Sequence, residues 1–269
     1  MRAVALHRDV IVATSRVWAT NCTIVRGSVA DAQATETFVI DSPILPDELE
    51  LLPSLVAQAG FLEPSGLLAT HGDWDHLLGP LAFPEAALGC AESTAERLAA
   101  QPGAAQRELR DFDDELYVER PRPLALGGVQ PLPVPGRCEL GSEELELHPA
   151  EGHVADGMAV LAPWAGVLVA GDYLSAVEIP TLDRGGDPDA YLATLGRLGG
   201  LLDRCEHVVP GHGPVLTRAR ALEVLEEDRA YLVALGEAGE GAQLPRARRS
   251  AEQQRMHARN VAALSSRGS

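Results

Sequence analysis

The chain has 269 residues, 46% hydrophobic and 23% charged, enough apolar material to bury a substantial core in one large domain or two small ones. Its basic residues are all arginine and its formal net charge is -17, a balance that repels polyanions and argues against a nucleic-acid or anionic-membrane partner. Cys22, Cys90, Cys138 and Cys205 lie far apart with no C-x-x-C pair, which argues against a zinc-thiolate knuckle and a redox dithiol and leaves isolated buried thiols.

The amino-terminal stretch MRAVALHRDVIVAT is broken by Arg2, His7, Arg8 and Asp9, too charged for a signal peptide. It contains two predicted strands, RAVAL and VIVAT, followed by TNCTIV and TETFVID. A helix is predicted over DELELLPSLVAQAG, ending at Gly60, then a strand, GLLAT, and a helix after His76. In STAERLAAQ, Ser93 and Glu96 fit a capping box. Residues 101–128, rich in proline, glycine and acid, read either as an irregular cover over a pocket or as a solvated connection. Strands resume with VQPLPV, ELELHP, GMAVLA and GVLVAGD. The stretch MAVLAPWAGVLVAG falls short of the roughly 20 residues of a membrane helix and contains Pro163. A helix over DPDAYLATLGRLGGLL starts at Asp187 as N-cap with Pro188 in its first turn, and a short strand, HVVPG, follows. In RARALEVLEEDRAYLVALG, Leu222, Leu225, Leu232 and Leu235 share one face up to Gly236. After the linker EAGEGAQLP comes a polar helix, AEQQRMHARNVAAL, next to RARR, a weak basic patch read as a solvated turn. The pattern predicts layered α and β structure in a soluble, cytoplasmic protein.

Four of the apolar runs end in metal-capable side chains next to glycine: LLATHG in His71, LELHPAEGH in His153, GVLVAGD in Asp172 and HVVPGHG in His212. Glycines there let backbones approach closely at converging strand ends. Asp73, Asp75 and His76 add to His71, giving seven nitrogen or oxygen ligands, enough for two metal ions that share one carboxylate and one water.

THGDWDHLLG, EGHVADG, VAGD and VVPGHGP, in that order, resemble the metallo-β-lactamase-fold hydrolase superfamily and its T-H-x-H-x-D-H-x-x-G signature. The resemblance implies an α/β fold, a four-layer αβ/βα sandwich of two mixed sheets flanked by helices. The catalytic domain would span residues 1–236, with 237–269 a linker and carboxy-terminal helix packed on or trailing it. One divalent ion would be held by His71, Asp73 and His153, the other by Asp75, His76 and His212, with Asp172 bridging both. Zinc is the first expectation, with manganese or iron as alternatives. A hydroxide shared by the two ions would attack a small ester, thioester or lactone, and Asp75 would orient the water and carry its proton. The partner expected is a small-molecule substrate.

The departure from the signature is Asp73, which stands at the second histidine. A carboxylate oxygen binds zinc as an imidazole does, but its charge weakens the Lewis acid and favours harder ions. An aspartate just before a helix can also serve as a cap. Asp41, ending TETFVID, resembles the family's aspartate that supports the ligands from behind. Trp74 would shield the metals or pack, and Tyr173, Glu178, Asp183 and Arg184 are candidates for the pocket lining. His148, His7, His207 and His257 have no motif support. Two other readings remain at this level: a mononuclear iron dioxygenase of the persulfide dioxygenase type using His71, His153 and Asp172, and a metal-poor, non-catalytic member.

Overall fold

Two groups of strands, the central ones apolar on both faces, pair into two sheets in the computed structural model, which describes residues 1–27 and 36–267. The first group is β1 (Arg2–His7), β2 (Val10–Thr14), β3 (Asn21–Arg26) and β4 (Thr37–Ile40). Helix α1 (Pro46–Gln58), β5 (Gly66–Ala69), the short α2 (Gly79–Ala82) and β6 (Ala87–Ala91) follow, then α3 (Glu92–Ala100), α4 (Ala104–Leu116) and β7 (Gln130–Leu132). The second half runs β8 (Gly136–Leu140), β9 (Glu143–Pro149), β10 (Met158–Ala162), β11 (Val167–Gly171), α5 (Pro188–Leu201), β12 (His207–Pro210) and β13 (Leu216–Thr217). It closes with α6 (Arg218–Ala238) and α7 (Ala251–Arg267). Thr35, the first residue of the predicted TETFVID strand, lies outside the described residues.

The seven-stranded sheet keeps chain order, antiparallel from β1 to β4 and parallel from β4 to β7. The six-stranded sheet is ordered β13-β12-β11-β10-β9-β8, with β11 and β12 parallel. Both sheets are mixed, and side-chain alternation explains the layers. Val10 and Val12 point into the space between the sheets with Leu68, Val160 and Val169, while Ile11 and Ala13 point outward under α1 and α4. On the far side, Leu161, Leu168 and Val208 meet Leu195, Leu198 and Leu225 of α5 and α6. Strands sandwiched on both faces need continuous apolar runs, which is why they are legible in the sequence. The result is helices, sheet, sheet, helices.

Several elements differ from the sequence expectations. The sequence does not predict β6 and β8, because ALGCA and GRCEL lack a clear alternation. Residues 104–116 form α4, whose buried side comprises only Ala105, Leu109 and Phe112; a stripe so narrow disappears among acidic and basic neighbours. Ser93 does not cap: α3 starts at Glu92, directly after β6, so Ser93 lies inside the helix. The segment after His76 is only the four-residue α2, preceded by a 3₁₀ turn at Trp74–His76. α6 continues through Gly236 to Ala238, and Leu222 is 44% exposed; the buried face instead includes Val224, Leu225, Asp228, Tyr231, Leu232 and Leu235.

The largest revision concerns RARR. Arg248 is fully buried rather than part of a solvated turn. Its guanidinium pairs with Asp228 and with Glu227 at 3.0 Å, and donates to the carbonyls of Ser175 at 3.1 Å and Glu178 at 2.7 Å. A buried ion pair of this kind collapses energetically when one partner is removed, because the other charge stays desolvated. Arg248→Met is therefore expected to lower stability by about 3–5 kcal/mol, and Arg248→Met/Asp228→Leu to recover much of that loss. Urea denaturation measures both; a loss under about 1 kcal/mol for the single variant would fit a solvated arginine instead.

Candidate metal centre

The candidate ligands come from both sheets at one edge of the sandwich. β5 is followed directly by Thr70 and His71, and the 3₁₀ turn beyond them directs Asp73, Asp75 and His76 to the same point. β11 is followed directly by Asp172, and β12 leads through Gly211 to His212. His153 lies on the loop between β9 and β10. Asn21 of β3 joins the two halves by donating to the carbonyls of Pro210 at 2.8 Å and Gly213 at 2.9 Å. Gly211 is required by crowding, since a Cβ there would lie 1.9 Å from Asp172 Oδ1.

The geometry divides the ligands into two sets. His71, Asp73 and His153 offer ligand atoms within 4.8 Å of one another, as do Asp75, His76 and His212. Asp172 lies between the sets with one oxygen toward each. Its Oδ2 is 3.7 Å from His71 Nε2 and 3.3 Å from His153 Nε2, and its Oδ1 is 3.2 Å from His76 Nε2 and 3.5 Å from His212 Nε2.

Each imidazole is oriented by its other nitrogen. Nδ1 of His71 meets Thr70 Oγ1 at 3.1 Å, that of His76 meets Asp41 Oδ2 at 3.0 Å, that of His153 meets Thr181 Oγ1 at 2.8 Å, and that of His212 meets Thr20 Oγ1 at 3.2 Å. All four Nε2 atoms therefore face the centre. Those of His71, His76 and His153, with Asp172 Oδ1, are buried without a hydrogen-bond partner. An unpartnered buried polar atom costs about 1–3 kcal/mol, and cations between the two sets would satisfy these atoms together. The residues present thus fit two metal ions.

The electrostatics have the same character. Burial opposes charge on Asp172, yet His212, His76 and His71 hold its carboxyl well below the usual range. Burial likewise opposes an imidazolium at His153, but Asp172 and Asp73 outweigh it and raise the group to about 10. His76 and His212 also lie well above the usual histidine value, lifted against burial chiefly by Asp172. His71 is lowered by burial and by its neighbour His76.

Asp73 is at the N-cap position of the 3₁₀ turn but makes no side-chain cap bond. Its Oδ2 instead faces His71 Nε2 at 3.9 Å and His153 Nε2 at 3.8 Å. Two arginines pair with the carboxylate, Arg97 at 2.7 Å on Oδ1 and Arg184 at 3.2 Å on Oδ2, the oxygen that also faces the histidines. Arg97 also binds Asp156 at 2.7 Å, and Asp156 accepts from Gly72 N at 2.9 Å and Thr94 Oγ1 at 2.8 Å. Burial alone would raise the Asp73 carboxyl; His153, His71 and Arg184 hold it well below the usual range.

Asp41 takes the supporting position that its motif implied, accepting from Thr70 N at 2.8 Å and Thr70 Oγ1 at 2.9 Å as well as meeting His76. Tyr173 lines a small buried cavity beside His71, His153 and Asp172; it is 2% exposed, and its hydroxyl accepts from His153 N and donates to the carbonyl of Ala150. Asp183 points away to Arg259, while Glu178 is raised by its burial beside the cluster. Trp74 packs against Phe112 and Trp18, and Trp18 is half exposed near His212. His148 pairs with Glu146 and His257 with Tyr231, away from the centre. The sequence reading does not single out Arg97, Asp156, Thr181 and Thr20. Asp156 is visible inside EGHVADG; the others have no local signal, because only the fold brings them near the ligands.

A sequence-family model described as the metallo-beta-lactamase superfamily matches residues 15–212. No curated protein matches the chain by sequence. Among solved structures, the metallo-beta-lactamase family protein TTHA1429 from Thermus thermophilus is similar with a TM-score of 0.62 at 22% identity, over 86% of this chain and 83% of that one. The stereoselective inverting sec-alkylsulfatase Pisa1 from Pseudomonas sp. gives 0.71 at 15% identity, with 98% of this chain on 50% of that one. TTHA1623 in a di-iron-bound form gives 0.59 at 23% identity, over 79% and 97%. Such identities carry the fold, the same two mixed sheets with flanking helices. Because the family match itself spans every strand end that contributes to the cluster, this chain belongs to the metallo-β-lactamase superfamily.

Proposed function

We propose that the protein is a binuclear metal-dependent hydrolase acting on a small ester, thioester or lactone. One observation carries the reading: Asp172 turns one oxygen to each of two ligand sets whose imidazole Nε2 atoms converge. His71, Asp73 and His153 would hold one ion, and Asp75, His76 and His212 the other. Bound there, zinc, manganese or iron would supply Lewis-acid polarisation and a water acidic enough to act near neutral pH. The protein's own groups do the rest. Asp75, with Oδ2 at 3.3 Å from His212 Nε2, is the carboxylate placed to orient a water and carry its proton. Arg97 and Arg184 offset the charge of Asp73, so the aspartate weakens its ion less than an unpaired carboxylate would. The di-iron form of TTHA1623 supports iron beside zinc as a candidate. A mononuclear dioxygenase would need only His71, His153 and Asp172, and the completeness of the second set favours the hydrolase. The acidic chain, which repels polyanions, supports a small-molecule substrate.

Elemental analysis of the loaded protein, followed by a screen of ester, thioester, lactone and phosphodiester substrates, tests the proposal. About two ions per chain are expected, and Asp172→Ala should release both together and abolish hydrolysis. Loss of one ion alone, with activity retained, would remove the bridging role.

Asp73→Asn separates ligation from capping, since asparagine caps about as well as aspartate but is a poor anionic ligand. The variant should lose one ion selectively while keeping its fold by circular dichroism. Full metal content with unchanged activity would overturn the assignment of Asp73.

Loading must also displace protons, because a ligating imidazole is neutral and His153 titrates at about 10. Below that pH protons compete with the ion. Apparent affinity is therefore expected to rise with pH through the neutral range, roughly tenfold per unit for each proton displaced, and to level off above it. Calorimetric titration in buffers of different protonation enthalpy counts the protons; release of none at pH 7 contradicts the prediction.

A further inference from the structure

Three of the four imidazoles in the centre are oriented by groups on or next to a strand: Thr70 follows β5, Asp41 follows β4, and Thr20 precedes β3. His153 differs. Its partner, Thr181, lies in the connection from β11 to α5, where the described structure has neither strand nor helix. Thr181 nonetheless presents two atoms to Nδ1, its Oγ1 at 2.8 Å and its carbonyl at 3.3 Å. Something has to hold a segment without regular structure firmly enough to aim a ligand.

The backbone around Thr181 is held by α7, which lies beyond the family match ending at residue 212. The N–H of Ile179 donates to Gln253 Oε1 at 2.8 Å. Asn260 Nδ2 donates to the carbonyl of Pro180 at 2.7 Å, and Asn260 Oδ1 accepts from the N–H of Leu182 at 2.8 Å. Both side chains are buried, Asn260 completely. The spacing is compatible: the seven helical residues from 253 to 260 rise about 10.5 Å, and the three residue steps from 179 to 182 reach at most about 10–11 Å. Ile179 and Leu182 turn into the core on either side, at 2% and 1% exposure, which leaves Thr181 facing His153. Two residues beyond Leu182, Arg184 reaches Asp73 of the same ligand set.

We infer that Asn260 is a positioning residue for one half of the metal centre, acting through the backbone of Thr181 on the imidazole of His153. The inference rests on the binuclear reading above. Asn260 fixes where Thr181 stands; Thr181 accepts the Nδ1 proton and leaves the Nε2 lone pair toward Asp172 and Asp73. Removing such a supporting partner typically weakens metal affinity by 10–100-fold. The effect should be confined to the ion held by His71, Asp73 and His153, because the orienting partners of His76 and His212 are Asp41 and Thr20.

The test is zinc affinity by competition with a chromophoric chelator, measured for both ions in the wild type, Thr181→Val, Thr181→Ser, Asn260→Leu and the Thr181→Val/Asn260→Leu pair. Expected results are a selective loss on the order of tenfold at one ion in Thr181→Val and in Asn260→Leu, recovery in Thr181→Ser, and a double variant little worse than either single one. If Asn260→Leu does not fold, Gln253→Met, which frees the Ile179 N–H, carries the same test. Equal weakening of both ions, additive losses in the double variant, or an unchanged affinity in Asn260→Leu would overturn the positioning role and leave α7 as structural support. A wild type that takes up one ion or none is a separate outcome, and it overturns the two-ion reading together with the inference.

Discussion

The constraint on which this structure depends is the position of Asp172 between two ligand sets. A single carboxylate can face both only if strand ends from two different sheets meet at one edge of the sandwich. That requirement explains the contacts clustered there. Asn21 ties β3 to the end of β12, and Gly211 gives up a side chain that would strike the carboxylate. Threonines and Asp41 occupy the outward nitrogens of the imidazoles. Three of the four inward nitrogens, those of His71, His76 and His153, are buried without partners and represent a cost that a folded chain carries when a ligand offsets it.

Asp73 modifies this plan without abandoning it. A carboxylate in place of a neutral imidazole adds a negative charge to a centre that already holds Asp75 and Asp172. The chain answers with Arg97, anchored on Asp156, and with Arg184, joined to Glu108 on α4. Guanidinium groups suit this position because they bind two carboxylates at fixed angles and remain charged when partly buried. The pairing places Arg97 on Oδ1, whereas Arg184 shares Oδ2 with the two histidines. Asp73 is accordingly embedded in a network of five side chains.

The carboxy-terminal segment follows a similar logic. α7 reads as polar because its inward stripe includes Gln253 and Asn260 as well as Met256. These polar groups are buried to satisfy the backbone of a connection that has no strand or helix to do so. Arg248 serves the other end of that connection at Ser175 and Glu178, and Ser175 in turn donates to the carbonyl of His212 at 2.8 Å. The residues after the family match therefore brace the loop that passes beside both halves of the centre.

The apolar runs that make the sandwiched strands, and the seven candidate ligands after them, are readable because each depends on neighbours in sequence: alternation, glycine at a turn, histidine and aspartate at motif spacing. The buried faces of α4 and α7 are not, since they contain few apolar residues and draw their stability from partners far along the chain. Asp73 can be named as a candidate ligand but not separated from a cap, because that choice is made by Arg97, Arg184 and His153, 24 to 111 positions away by residue number. RARR reads as a solvated patch for the same reason: only packing against α6 brings Asp228 and Glu227 to Arg248. Local chemistry in the sequence determined which residues can hold a metal. Tertiary structure alone decided which way their atoms point, because orientation is set by hydrogen bonds between residues that have no sequence relation to one another.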